Sequence, residues 1–173
     1  EIHEQPKALR NTIFPRLKES RIDLDDLGLS EEEIRRLRRI SIVACGSAWH
    51  AAVTGKYAIE ELARIPVETD LASEYRYRNP ICEPDSLVII VSQSGETADS
   101  LAALRDAKAR GSRVLAIVNV VGSSIAREAD SVFYTNAGPE ISVATTKAYS
   151  CQLAAFYLLA AEFARIRETI DRT

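Results

Sequence analysis

The chain has 173 residues, 46% apolar and 27% charged, with a net charge of −3. That length supports one domain whose folding buries roughly 70% of the unfolded surface, and the composition excludes a disordered chain. There is no basic excess of the kind that neutralises nucleic-acid phosphates, so no nucleic-acid partner is expected.

The first stretch, Glu1 to Ser20, reads as a helix with Ile2, Leu9, Ile13 and Leu17 near one face, Pro6 in its first turns and Pro15 as a break or kink. Arg21 to Gly28 is a polar, acidic connector. Ser30-Glu31-Glu32-Glu33 is a capping box, and Glu31–Arg35 and Glu32–Arg36 are i,i+4 pairs of favourable sense. The basic cluster Arg35, Arg36, Arg38 and Arg39 fits a solvated face at a helix C-terminal end better than a phosphate patch.

From Ile40 strands and helices alternate. Strands are predicted over Ile40 to Cys45, Val67 to Thr69, Leu87 to Val91, Val114 to Val118 and Val132 to Tyr134. Helices are predicted over Ser47 to Arg64, Ala72 to Tyr77, Thr97 to Arg110 (closed by Gly111), Ser124 to Glu128 and Ala144 to about Glu168. The central strands are unbroken apolar runs, which means burial on both faces and a parallel sheet. The expected fold class is α/β, a three-layer αβα sandwich with a five-stranded parallel sheet in the flavodoxin-like order 2-1-3-4-5. Residues 1–39 form a helical lead-in and residues 40–173 the domain proper. The last helix is apolar nearly all round (Leu153, Phe156, Leu158, Leu159, Phe163), more than one sheet face can cover, so a second domain or subunit is implied. Its longest uncharged apolar run, Leu153 to Ala161, is too short to span a bilayer, and no membrane partner is expected.

In this topology ligands bind where neighbouring connections diverge, between the first and third strands. The loops there are Cys45-Gly46-Ser47-Ala48 and Ser92-Gln93-Ser94-Gly95-Glu96-Thr97. In the second loop Ser92, Ser94 and Thr97 offer hydroxyls, Gln93 an amide, and Gly95 permits close approach or positive φ, all at a helix N-terminus. This is a cradle for an anionic group, a phosphate, built without a formal positive charge. An ordinary helix cap needs only one such side chain. Glu96 and Asp99 oppose an anion unless they point away. Ser47 fits a cap or a ligand contact equally. Cys45 reads as a small core residue, and His50 as a packing or solvent-facing residue with no carboxylate partner. In the last loop Thr145 and Thr146 read as caps and Lys147 as a surface lysine in a first helical turn.

The three cysteines, Cys45, Cys82 and Cys151, are odd in number without CxxC spacing, which points to a reducing, cytoplasmic compartment and not to disulfides or zinc. Dinucleotide, P-loop and nucleophile-elbow signatures are absent, and no cofactor or metal is expected. No signal peptide opens the chain. Methionine is missing even at position 1, so the chain reads as an excised or processed piece of a longer protein.

Six segments carry a family resemblance: Glu1 to Pro6, Ala44 to Ser47, Ala72 to Arg78, Ser92 to Asp99, Asn119 to Arg127 and Ala137 to Glu140. Together they resemble, nearly end to end, the first sugar isomerase (SIS) domain in the synthase half of the glucosamine-6-phosphate synthase family. The resemblance implies a phosphosugar ligand, fructose 6-phosphate or glucosamine 6-phosphate. It also implies a second SIS domain and a glutaminase domain in the parent chain, and a homodimer. Residues matching Ser92, Gln93, Ser94 and Thr97 would hold the phosphate, with Gly95 in the same loop. Ser47, Val143 and Thr145 would line the sugar side. The family's common Thr-Ser after Cys-Gly reads Ser47-Ala48 here, so one phosphate-side hydroxyl is absent, while Thr145 replaces a common serine and keeps its hydroxyl. The family's isomerising groups lie in the second SIS domain and the C-terminal tail, so the chain alone is expected to be inactive. A free-standing phosphosugar sensor and an independent dimeric isomerase using His50 and Glu140 are the alternatives.

Overall fold

A computed structural model describes residues 1–170. The lead-in is shorter as a helix than expected. Helix α1 spans Gln5–Ile13, flanked by 3-10 turns at Ile2–Glu4 and Phe14–Arg16. Pro15 ends it because it cannot supply the next helical N–H. The connector is less polar in practice than in composition: Leu24 and Leu27 are core residues. Helix α2 (Glu31–Arg36) carries the expected capping box, with Ser30 N–H donating to Glu33 at 2.8 Å and Glu33 N–H to Ser30 Oγ at 3.2 Å. Arg35 pairs with Glu31, Arg36 with Glu32 and Arg39 with Glu68, so most of the basic cluster is spent on local ion pairs.

The alternating part follows as β1 (Arg39–Ala44), α3 (Gly46–Ala63), β2 (Val67–Leu71), α4 (Ala72–Tyr75), β3 (Ser86–Ser92), α5 (Ala98–Ala109), β4 (Arg113–Val118), α6 (Ser124–Glu128), β5 (Ser131–Tyr134) and α7 (Lys147–Arg167). All neighbouring strands pair in parallel, in the order β2-β1-β3-β4-β5. The unbroken apolar runs alternate between two cores. Leu87, Ile89 and Val91 of β3 face a core shared with α3 and α7, and Val88 and Ile90 face one shared with α5 and α6. This is the three-layer αβα sandwich expected from the sequence.

One inference about α7 needs correction. Its burial is supplied largely by the chain itself, because α3, α1 and α2 all pack against it. Its apolar girth therefore does not require a second domain. Helices α3 and α7 approach closely at Gly55 of α3, where an added Cβ would lie 2.4 Å from the ring of Phe156. Phe156 is fully buried, so the ring has little room to retreat.

Among the described residues no helix is long and apolar enough to cross a membrane. Gly55→Ala should lower the thermal midpoint even though alanine is the better helix former. Overpacking of this kind costs about 1 to 3 kcal/mol against a propensity gain of about 1. Phe156→Leu in the same background should recover part of the loss. A Gly55→Ala protein as stable as the parent would show that α3 and α7 can separate freely.

Candidate functional site

The site is set by the pairing of β1 with β3. Ala44 lies opposite Val91, so Cys45 and Ser92, the next residues, end side by side. From there α3 leaves toward one core and α5 toward the other. The divergence opens a crevice of about 540 Å³ at the C-terminal ends of the strands. It is lined by Cys45, Ser47, Ala48, Val91, Ser92, Gln93, Ser94, Thr97, Glu140, Ile141, Ser142, Val143, Thr145 and Gln152. The fold thus brings together residues separated by about a hundred positions, including Ser47, Ser92, Gln93, Ser94, Thr97, Val143 and Thr145. A larger cleft of about 830 Å³ at Tyr57, Arg64, Pro66 and Tyr157 sits where α3 ends and β2 begins, at the opposite end of the strands.

The Ser92–Thr97 loop is built from its own hydrogen bonds. Gly95 N–H donates to Ser92 Oγ at 3.0 Å and Glu96 N–H to Ser94 Oγ at 3.2 Å. Ser92 Oγ and Thr97 Oγ1 share a hydrogen bond at 2.9 Å. Thr97 occupies the cap position of α5 but makes no cap bond with its side chain, so the simple capping account does not apply. Two hydroxyl protons less the one in the shared bond leave one donor from Ser92 and Thr97 together, and Ser94 supplies another. Gly95 does not line the crevice. It lies behind the loop at φ +67°, where an added Cβ would meet Ser123 Oγ at 2.0 Å, so both the backbone conformation and the close approach require glycine. Glu96 is turned outward and accepts from Ser124 N–H at 2.7 Å, which removes its charge from the crevice. Asp99 is exposed.

Among the described residues neither lysine nor arginine lines the crevice; its ionisable liners there are Cys45 and Glu140. Any anion held there is held by hydroxyls, amides and the α5 dipole. Among the described residues no cluster of His, Cys, Asp and Glu could hold a metal ion. All three cysteines are free, and Cys151 is buried with its pKa pushed up by desolvation.

The opposite wall differs from its sequence reading. Ser47 is not a cap, because α3 starts at Gly46 and makes no side-chain cap bond; its exposed hydroxyl faces the crevice. Thr146 stands at the cap position of α7 but does not cap it either. Glu140 does so instead, accepting from the N–H groups of Thr146 (2.6 Å), Lys147 (3.1 Å) and Ala148 (3.1 Å) and from the hydroxyls of Thr145 and Thr146. Burial would raise its pKa, but these donors outweigh burial and hold it below the ordinary value. A carboxylate so saturated is a poor general base, and His50 is exposed, edge-on to Trp49. The geometry gives no support to an acid–base pair made of these two.

Lys147 is not a surface lysine. Its side chain is 4% exposed, and its ammonium is paired with Glu4 of the lead-in, which raises its pKa and keeps it charged. It does not line the crevice. Glu1 also holds this loop, accepting from Ile141 N–H at 2.7 Å and Ser142 N–H at 3.2 Å. Asn119, just beyond β4, joins the two sides of the site. Its N–H donates to the Gln93 carbonyl, and its side chain takes Ala137 N–H at 2.8 Å and gives to the Gly138 carbonyl at 2.9 Å. Gln152, 2% exposed, was missed from the sequence; its Oε1 has no hydrogen-bond partner among the described residues, and it lines the crevice from α7. The signal was a lone uncharged polar residue within an apolar helical face.

The pattern of the SIS domain matches residues 33–162. The chain belongs to the SIS domain family. Among curated proteins it is 57% identical over 173 residues to the glutamine–fructose-6-phosphate aminotransferase (isomerizing) of Clostridium tetani, which covers 99% of the chain and 28% of that protein. It is 58% identical to the enzyme of the same name from Caldanaerobacter subterraneus, covering 100% of the chain and 29% of the relative. Among solved structures, the C-terminal domain of glucosamine-fructose-6-phosphate aminotransferase from Francisella tularensis superposes with a TM-score of 0.92 at 41% identity, over 99% of this chain and 48% of that one. The chain thus spans a little over a quarter of the length of the curated relatives it matches.

Because Glu140 is held below its ordinary value of 4.5, its stabilising contribution is complete above that pH and is lost as pH falls through the depressed value. Glu140→Gln should therefore be less stable than the parent at neutral pH, and the gap should narrow in thermal melts run below pH 4.5. A gap independent of pH would show that the charge of Glu140 is not what secures the start of α7.

Proposed function

We propose that this chain is the phosphosugar-binding SIS domain from the synthase half of a glutamine–fructose-6-phosphate aminotransferase. Residues 1–39 form its lead-in and residues 40–173 the binding domain. The ligand is fructose 6-phosphate or the product glucosamine 6-phosphate. The single observation that carries the reading is the uncharged hydroxyl cradle at the start of α5, opening on the same crevice as Ser47 and the last loop. High identity to relatives of that name supports the choice of ligand.

In this reading the phosphate lies against Ser92, Gln93, Ser94 and Thr97, with Gly95 shaping the turn. The first-turn N–H groups of α5 add donors and the positive end of the helix dipole. Ser47, Val143 and Thr145 contact the sugar. Ala48 contributes no hydroxyl to the phosphate, which is left to the Ser92–Thr97 loop. The crevice has no surplus cation, which suits a site that must release a phosphorylated product as readily as it takes up a phosphorylated substrate. The chain orients the sugar within a homodimer; the groups that isomerise it come from a second SIS domain and the C-terminal tail of the parent chain, and the nitrogen from its glutaminase domain.

Two measurements test this. Titration with fructose 6-phosphate, followed by amide NMR, should shift Ser92 to Thr97 and Ser47, and Ser94→Ala should weaken binding by about 1 to 2 kcal/mol. Shifts centred on Tyr57 and Tyr157, or equal binding of unphosphorylated fructose, would defeat the site assignment. Incubated alone with fructose 6-phosphate, the chain should form no glucose 6-phosphate; turnover by the chain itself would mean that its own residues complete an isomerase.

A further inference from the structure

Glu140 lies outside the phosphate cradle, yet it decides what the opposite wall can recognise. Its two oxygens have about four lone-pair positions, and five donors already approach them: three backbone N–H groups and the hydroxyls of Thr145 and Thr146. An ionised carboxylate has no proton to give, so in its bond with Glu140 the Thr145 hydroxyl must be the donor. Thr145 has one hydroxyl proton, and that proton is committed. What Thr145 can turn toward the crevice is a lone pair. The N–H groups of Thr146, Lys147 and Ala148 are consumed in the same way, so the start of α7 offers an anion nothing, although it faces the crevice as the start of α5 does.

We infer that Glu140 is a positioning residue that fixes the hydrogen-bond sense of Thr145. The ligand group meeting Thr145 has to be a donor, a hydroxyl or an ammonium, and neither a phosphate oxygen nor a carbonyl can replace it. The two walls thereby become opposite in sense. The Ser92–Thr97 wall gives protons to the ligand, and the Thr145 wall takes them. A phosphorylated polyol can enter in only one orientation. This inference rests on the binding reading above and adds to it the polarity of the sugar subsite.

The test compares ligands that do and do not reach Thr145. Glu140→Gln keeps the shape of the side chain but can present an amide N–H to Thr145, whose hydroxyl then accepts and has its proton free for the ligand. In the 173-residue chain, Glu140→Gln should weaken fructose 6-phosphate about tenfold while leaving inorganic phosphate, read at the amides of the Ser92–Thr97 loop, unchanged. Thr145→Val should cost a similar factor, Thr145→Ser should retain binding, and Glu140→Gln should add nothing in the Thr145→Val background. Among monodeoxyfluoro fructose 6-phosphates, whose fluorine cannot donate, the one most weakened on the parent chain should regain binding relative to its deoxy counterpart on Glu140→Gln. A structural role alone would not produce that reversal. Equal losses for phosphate and phosphosugar, or additive losses in the double variant, would overturn the inference. If Glu140→Gln does not fold, the fluorinated series on the parent chain decides: tolerance of fluorine at every hydroxyl position overturns it, and one strongly penalised position supports it. Failure of the parent chain to bind fructose 6-phosphate would instead overturn the binding reading, and this inference with it.

Discussion

The parallel pairing of β1 with β3 is the constraint on which the rest depends. It sets Ala44 against Val91, so both strands end at one level with Cys45 and Ser92 adjacent. Helices α3 and α5 then leave on opposite faces, because β1 crosses to β2 on one side of the pair and β3 to β4 on the other, and right-handed crossovers in opposite directions lie on opposite faces. The crevice follows directly, and so does the convergence of two helix N-termini on it. A one-residue slip of β3 would turn Leu87, Ile89 and Val91 into the wrong core and dismantle the cradle at the same time. Stability of the sheet and geometry of the site are therefore the same requirement.

Among the described residues the crevice is lined by hydroxyls, amides and a helix start, with no lysine or arginine, so its electrostatics come from fixed dipoles. The loop shows how. Ser92, Thr97 and Gly95 form a closed hydrogen-bonded turn, Glu96 is drawn away to Ser124, and Ser92, Ser94 and Thr97 line the crevice. Such donors are organised before any ligand arrives, so little reorganisation opposes binding. The start of α7 is the counterexample within the same crevice: there Glu140 supplies the anion from within the chain.

The lead-in has a part in this arrangement. Glu1 holds the backbone of Ile141 and Ser142, Glu4 neutralises the buried ammonium of Lys147, and Gln5 accepts from Ser150. The last loop, before α7, is thus tied to the first five residues, and Asn119 ties it to the Ser92–Thr97 loop. The curated relatives are far longer than this chain. Within the described residues the lead-in is a brace for the site and not a loose linker.

The sequence by itself determined the sheet and the Ser92–Thr97 loop. Both are local signals: unbroken apolar runs for buried parallel strands, and hydroxyls packed around Gly95 where a strand passes into a helix. The capping box at Ser30 and Glu33 was legible for the same reason, since both partners lie within one turn. Only the tertiary structure decided the opposite wall. Lys147 looked like a surface residue because nothing near it in sequence reveals Glu4, which lies at the other end of the chain. Thr145 and Thr146 looked like caps because the real cap, Glu140, reaches forward from an irregular loop without a fixed spacing. Gln152 was hidden in an apolar helix whose cover, α3, α1 and α2, comes from three distant segments. Short-range patterns specify elements and turns, whereas buried charges and capped helix ends depend on which elements the fold sets side by side.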